Sequence, residues 1–356
     1  MTIREVSLPT YRVTIASGAL DRLGEIVRAV APAHRYAIIT DSNVGPKYAP
    51  RVRESIGARD EPLTVPAGEA HKTRETWARL TDEMLASGYG RDTTVVALGG
   101  GVVGDLAGFV AATFMRGVPY IQVPTSLLAM IDASVGGKTG VDTSAGKNLV
   151  GAFHQPAAVV ADVGLLTTLP HEHLRAGMAE AIKHGVIADA DYFERVQSLA
   201  ANLDALDVTA LEDVVARSVA IKADVVRRDE REGGVRKTLN FGHTIGHAVE
   251  LRSNFTLLHG HAVAIGMVYE SVIAERIGIA TDVAGRVREA VRVAGLPAAR
   301  PSGMDIESIL AATHGDKKAR GGSAEYALPA RIGAMAGANR GWSMPVSDDL
   351  VREVLA

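Results

Sequence analysis

The sequence predicts an α/β N-terminal domain built on a mostly parallel sheet, followed by a mainly α-helical C-terminal domain. Two observations carry that expectation. Up to about residue 165, short apolar runs bounded by turn residues alternate with helical patterns. Beyond it, long stretches rich in Ala, Leu, Val and Arg at helical spacing take over, with few β-rich runs. A chain of 356 residues is also more than one hydrophobic core usually serves.

In chain order, the apolar runs are YAIIT (36–40), TTVVAL (93–98), YIQV (120–123) and AVVAD (158–162). Runs of this kind suit strands buried on both faces. Between them TRETWARLTDEMLASG (73–88) reads as a helix stopped at Gly88. This is a βαβ pattern, and it implies parallel pairing. In the second part, PHEHLRAGMAEAIKHGVIAD starts a helix near Pro170, and 206–228, 237–252, 260–277 and 282–294 continue the helical texture. The domains are placed at 1–165 and 166–356, and the cleft between them is the expected place for a small-molecule site.

Composition excludes several classes. The chain is 47% hydrophobic and 22% charged, with a formal net charge of -3, so nothing favours nucleic acid or an anionic membrane. Aromatics are 4%, too few for base-stacking platforms. Cysteine is absent, which removes disulfides, thiolate nucleophiles and Cys-based metal sites. Any metal must be held by His and carboxylates. The N-terminus carries Arg4 and Glu5 and no apolar signal region, so a cytoplasmic location is the expectation. The window VVALGGGVVGDLAGFVAATF is long enough to span a membrane, but Asp105 and its glycines make it a buried strand–loop–helix unit instead.

That window contains G-x-G-x-x-G as Gly99, Gly101 and Gly104, after an expected strand and at the start of an expected helix. The glycines allow close approach of a pyrophosphate, and the helix N-terminus favours its charge. The acidic residue usual about 20 positions onward is missing; Asp41, after YAIIT, stands where ribose hydroxyls would be bound. The reading is a Rossmann-like dinucleotide site, against the alternative of a tight turn that needs Gly only for packing. DASVGGKTG (132–140) resembles the end of a nucleotide phosphate loop, but that loop needs Gly where Asp132 stands.

NFGHTIGHAVE sets His243 and His247 four residues apart on one helical face. Thr244 follows the first His where a zinc protease needs Glu, so that chemistry is excluded. LLHGHAVAIGM adds His259 and His261, and AGMAEAIKHG adds Glu180 and Lys183. Two His and one carboxylate make a three-ligand site with open positions, able to lower the pKa of a substrate hydroxyl. The alternative for any single His is a satisfied packing residue. Lys138, Lys147, Lys183, Lys222, Arg236 and Lys317 sit in Gly-flanked or apolar surroundings. Converging, they would suit an anionic substrate such as a sugar phosphate or carboxylate.

These motifs, with QVPTSLLAMIDASVGGKTGVD, GKNLVGAFHQP, LNFGHTIGHAVE, HGHAVAIGM and GDKK, resemble 3-dehydroquinate synthase over nearly the whole chain. The resemblance implies bound NAD, one divalent metal (zinc or cobalt) and a homodimer. The implied reaction turns 3-deoxy-D-arabino-heptulosonate 7-phosphate into 3-dehydroquinate and phosphate, in the shikimate pathway. It proceeds by transient oxidation at C5, phosphate elimination, re-reduction and intramolecular aldol closure. By motif, the implied metal ligands are Glu180, His243 and His259, with His247 in proton transfer. The implied substrate contacts are Arg116, Asp132, Lys138, Asn148, Lys183, Lys222, Arg236, Asn240 and Lys317, the last with Lys318 as a rival. Lys147 is placed between substrate and cofactor. NAD contacts are implied for Asp41, Glu69, Lys72, Gly100, Gly101, Val102, Asp105, Thr125, Ser126, Leu165 and Thr168, with Lys138 and Lys147 alongside. Two positions depart from the family pattern: His261 stands for the usual Glu, creating a rival ligand beside His259, and Ser126 stands for a common Thr. The alternatives are another sugar-phosphate cyclase, acting on sedoheptulose 7-phosphate or glucose 6-phosphate, a metal-dependent polyol dehydrogenase, and a non-catalytic nucleotide-binding module. The set Lys222, Arg236, Asn240 and Lys317 favours a substrate that bears a carboxylate.

Overall fold

The computed structural model describes residues 3–144, 146–314 and 324–356; Lys317 and Lys318 lie outside the described residues. By packing, the chain divides into two compact units. The first is Met1–Leu169 with Leu211–Ala223, and the second is Pro170–Ala210 with Asp224–Ala356.

The first unit contains β1 (Arg4–Ser7), β2 (Arg12–Ala16), α1 (Leu23–Val30), β3 (Arg35–Asp41), α2 (Gly45–Ile56), β4 (Leu63–Val65) and α3 (Arg74–Ala86). It continues through β5 (Thr93–Gly99), α4 (Gly101–Thr113), β6 (Tyr120–Pro124), β7 (Lys138–Thr143), β8 (Gly146–Phe153) and β9 (Ala158–Asp162). Among the described residues, seven strands form one sheet in the order β1-β2-β9-β6-β5-β3-β4. Every neighbouring pair is parallel except β1 with β2. The four expected apolar runs are β3, β5, β6 and β9, and β5, β6 and β9 are buried along their whole length. Their Val, Ile and Thr side chains suit a pleat covered on both faces. Helix α3 starts where Thr73 Oγ1 accepts from the Thr76 N–H at 3.2 Å, a side-chain cap.

Parallel strands end on one edge of a sheet, and that edge is where ligands of open α/β sheets bind. Asp41 ends β3, Gly100 to Asp105 follow β5, and Thr125 and Ser126 follow β6. Leu165 and Thr168 follow β9. The topology therefore gathers these separate stretches along one edge.

Two features of this unit were not expected. The strand β2 pairs in parallel with β9, so the N-terminal segment is built into the sheet. The Gly-rich stretch from Lys138 to Phe153, which is not among the expected strands, is an antiparallel hairpin of β7 and β8, with Val141 opposite Val150.

The second unit is mainly helical: α5 (His171–Ala188), α6 (Ala190–Ala200), parts of α7 (Val208–Arg228), α8 (His243–Arg252), α9 (His259–Arg276), α10 (Ala284–Val293), α11 (Ile306–His314) and, at the end, α12 (Asp348–Leu355). Four short strands pair outside the main sheet: β10 (Glu325–Tyr326) with β13 (Met344–Pro345), and β11 (Pro329–Arg331) with β12 (Ala334–Met335). The stretch 237–252, expected as one helix, is broken. A 3-10 run over Val235–Asn240 ends, the chain turns at Gly242 with φ 79°, and α8 starts at His243. No described helix is long and apolar enough to cross a membrane.

Helix α9 touches both α5 and α8 through glycine. A Cβ on Gly260 would stand 1.9 Å from the Ala176 carbonyl oxygen of α5. One on Gly266 would stand 1.9 Å from the Gly242 carbonyl oxygen, at the entrance to α8. Only Gly permits backbones this close.

Candidate active site

The three helices joined by those glycines carry Glu180 (α5), His243 (α8) and His259 (α9). The Nε2 atoms of His243 and His259 each lie 3.4 Å from Glu180 Oε1. Donors about 2.0–2.1 Å from a tetrahedral ion stand about 3.4 Å from one another, so this is the spacing of ligands that share an ion. Neither carboxylate oxygen of Glu180, which is fully buried, has a hydrogen bond of regular geometry. The other ring nitrogens are occupied. His243 Nδ1 donates to the Phe241 carbonyl at 3.1 Å, and His259 Nδ1 lies 3.4 Å from Glu250 Oε2. Such outer contacts fix the ring orientations and point both Nε2 atoms at the centre. The donor set fits a divalent zinc- or cobalt-like ion.

The electrostatics are those of a crowded charged centre. Burial opposes ionisation of Glu180, but Lys183 and then His243 hold its carboxyl well below the usual range. Lys183 sits against that carboxylate, one turn along α5, with both side chains buried. Burial and then Lys183 push His243 down to about 3. Burial acts the same way on His259, but the Glu180 and Glu250 carboxylates more than reverse it, and the ring rises to about 10.

His247 lies one turn after His243, its ring 5.1 Å from that of His243 and 5.8 Å from that of His259. Glu250 completes the stripe and, with His247 and His259, forms a second group with ligand atoms within 4.8 Å of one another. His261 belongs to no such group among the described residues. Two residues past His259 on a helix, it points roughly 200° away. The sequence reading missed Glu250, although its spacing of seven from His243 was the signal.

The first unit gathers a second set. Lys72, buried, donates to Asp105 Oδ2 at 2.5 Å and to Asn148 Oδ1 at 2.6 Å. Burial pushes the Asp105 carboxyl up, against the pull of Lys72. Asn148 has φ 53°, a strained value for a non-glycine residue, and its N–H donates to Asp142 Oδ1 at 2.8 Å. Burial raises Asp142 to about 6, again against Lys72. Lys147 pairs with Glu69 at 3.2 Å. Asp142 was not anticipated; it reaches Asn148 through the hairpin that the sequence reading missed, and its N–H donates to the Lys72 carbonyl at 2.7 Å. Asp132 lies in a single π-helical turn, Ala129–Ala133, a form frequent at functional sites. Lys222 donates to its carbonyl at 2.6 Å and to its Oδ1 at 2.7 Å. Ser126 Oγ accepts from the Ala129 N–H at 3.3 Å and so starts that segment. Lys138 is exposed at the first position of β7.

Asp41 Oδ1 accepts from the N–H groups of Asn43 and Val44 at 2.8 and 3.0 Å, closing the turn after β3. Thr168 meets the Tyr48 hydroxyl. Arg116 is not brought to the Lys72 group. It is exposed, with φ 69°, beyond the far end of α4. That helix rises about 12 Å between Asp105 and Thr113.

In the second unit, Arg236 is buried and its guanidinium donates to the Glu230 carbonyl. Asn240 Nδ2 donates to Glu232 Oε1 at 2.7 Å. Asp229 folds this loop: its carboxylate accepts from the N–H groups of Gly233, Gly234 and Arg236 at 3.0, 2.7 and 2.9 Å. Burial works against the Asp229 charge, and the three N–H groups overcome it and lower its pKa. A depressed folded pKa contributes stability above the unfolded value of about 3.9, lost as pH falls through the folded pKa. Asp229→Ala is therefore expected to cost about 1–3 kcal/mol at neutral pH. In urea unfolding, that gap to wild type should close at acid pH; a gap independent of pH would refute the assignment.

The family models give this geometry a setting. The one described as 3-dehydroquinate synthase N-terminal matches residues 62–176, and the one described as 3-dehydroquinate synthase C-terminal matches residues 177–319. The 3-dehydroquinate synthase of Symbiobacterium thermophilum is 47% identical over 335 residues, covering 92% of this chain and 94% of that protein. Among solved structures, 2-deoxy-scyllo-inosose synthase complexed with carbaglucose-6-phosphate, NAD+ and Co2+ superposes with a TM-score of 0.90, at 28% identity and 99% coverage of each chain. A 2-epi-5-epi-valiolone synthase from Streptomyces hygroscopicus, with NAD+ and Zn2+ bound, reaches 0.86 at 30% identity, over 100% of this chain and 97% of its own. The two family models and a relative matched over 92% of the sequence agree: the chain belongs to the 3-dehydroquinate synthase family.

Proposed function

We propose that this protein converts 3-deoxy-D-arabino-heptulosonate 7-phosphate to 3-dehydroquinate and phosphate, with NAD and one divalent ion as cofactors. The observation that carries the reading is the buried Glu180, His243 and His259 group at ligand spacing, in a chain 47% identical to a synthase of that name. When bound, the ion would acidify the C5 hydroxyl and NAD would take up and return the C5 hydride, leaving no net NADH.

The chain's own residues supply the rest. Glu180 gives the centre its negative charge, and Lys183 balances it from the same helix. His247 stands beside both ligand histidines and is the proposed proton carrier. Lys138, exposed at the start of β7, is the proposed phosphate contact; near the turn at the other end of the same hairpin, Asn148 is a proposed substrate contact and Lys147 is proposed to lie between substrate and cofactor. Lys222, held by Asp132, and Arg236 and Asn240 are the proposed set for the carboxylate. The proposed NAD contacts line the carboxyl edge of the sheet: Asp41, Gly100 to Asp105, Thr125, Ser126, Leu165 and Thr168, with Glu69 and Lys72 beside Asp105 and Asn148. Retaining the substrate until its ring closes makes the aldol step unimolecular. A cytoplasmic homodimer is also proposed, and the family alone supports it; sedimentation tests the dimer.

The test is phosphate release from the heptulosonate phosphate and from sedoheptulose 7-phosphate, each with NAD and zinc or cobalt. Release from the first without net NADH is expected. Turnover of sedoheptulose 7-phosphate alone would point to another cyclase, and net NADH from a simple polyol to a dehydrogenase.

A further inference from the structure

Helices α8 and α9 run antiparallel, and each end of the pair is fastened by a buried carboxylate. At one end Glu250, near the end of α8, meets His259 Nδ1 at the start of α9. At the other end Glu270, three turns after His259 and fully buried, reaches back to the start of α8. Its Oε2 accepts from the Gly242 N–H at 2.6 Å and its Oε1 from the Ile245 N–H at 3.0 Å.

The first N–H groups of a helix have no partner within it and are usually capped by the residue before. Here that residue is Gly242, which has no side chain to offer. Glu270 caps the helix from its neighbour, with a charge that the helix N-terminus favours. The two anchored N–H groups bracket His243. The Gly266 contact with the Gly242 carbonyl holds the same turn from one helical turn earlier on α9. Nothing but the rotamer of His243 then remains to place its Nε2, and the Phe241 carbonyl fixes that.

We propose that Glu270 is a positioning residue for the metal centre. It sets the first turn of α8, and with it the distance between the His243 and His259 nitrogens, without touching either ring. The proposal rests on the metal reading above. It goes beyond that reading in assigning to a residue outside the ligand set a share of metal affinity and geometry.

The experiment uses Glu270→Gln, which keeps the shape but turns an amide N–H₂ toward one of the two donors. Zinc affinity is measured by competition with a chromophoric chelator, and the cobalt site by its visible absorption. NAD affinity and thermal unfolding are measured in parallel. Zinc affinity is expected to fall about ten- to hundredfold, the range of lost outer contacts. The cobalt spectrum should change and NAD affinity should not. Glu270→Asp, which keeps the charge but withdraws it by one methylene, should show a smaller loss and takes over the test if Glu270→Gln does not fold. A variant that melts earlier yet binds zinc and cobalt as wild type does overturns the proposal, because a purely structural cap gives that pattern. Failure of the metal reading looks different: the wild type, or His243→Ala compared with it, shows no specific zinc site at all.

Discussion

His259→Ala is expected to abolish tight zinc binding and to lower phosphate release by about a thousandfold or more, whereas His261→Ala keeps full metal content. Lewis-acid stabilisation is worth several kcal/mol, and each 1.36 kcal/mol is a factor of about ten in rate. The contrast follows from direction. His259 Nε2 faces Glu180 Oε1 at 3.4 Å, while His261 projects from another side of α9 and joins no ligand group among the described residues. Metal content by elemental analysis and phosphate release by a colorimetric assay decide it. A His261→Ala protein without metal, or a His259→Ala protein with it, would move the centre.

Lys72→Met should give a large loss of stability. Lys72 is buried and satisfies Asp105 and Asn148 together. Removing one partner of a buried pair costs about 3–5 kcal/mol, because the other charge is left without compensation. Asp105 keeps some exposure, its side chain being 19% accessible, so the lower end, about 3 kcal/mol, is expected. The strained Asn148 also loses the contact that holds its side chain, so NAD affinity should fall with stability. Lys147→Met is the control. Its pair with Glu69 is partly exposed and worth under about 1 kcal/mol. Equal destabilisation of the two variants by denaturant titration would show that Lys72 is not buried against its partners.

Much of the fold was legible locally. The runs that became β3, β5, β6 and β9 are continuous apolar segments, and burial on both faces of a parallel sheet leaves that signature. Helix α3 carries its own cap at Thr73. The hairpin of β7 and β8 was hidden because glycines at 140, 146 and 151 suppress the strand signal. Gly140 and Gly151 are there because the two backbones approach closely: a Cβ on Gly151 would meet the Thr139 carbonyl at 2.1 Å. The break at Gly242 was hidden in the same way, since its neighbours on both sides have helical texture. Of the candidate residues, the i, i+4 pair His243 and His247 could be read from spacing. Glu250 carried a signal in its spacing of seven from His243, whereas Asp142, Asp229 and Glu270 could not be singled out from many other acidic residues.

Periodicity, apolar runs and motif spacing are properties of short segments. They were enough for the two architectures, the glycine turn before α4 and the residue types of the metal centre. Which carboxylate meets which histidine is a matter of distance between segments: Glu180 lies 63 residues from His243, and Glu270 lies 28 from Gly242. Only packing brings them together, through glycines on α9 that let α5 and α8 approach to backbone contact. The same packing supports the proposal of His259 over His261 as ligand, because it determines which face of α9 turns toward Glu180.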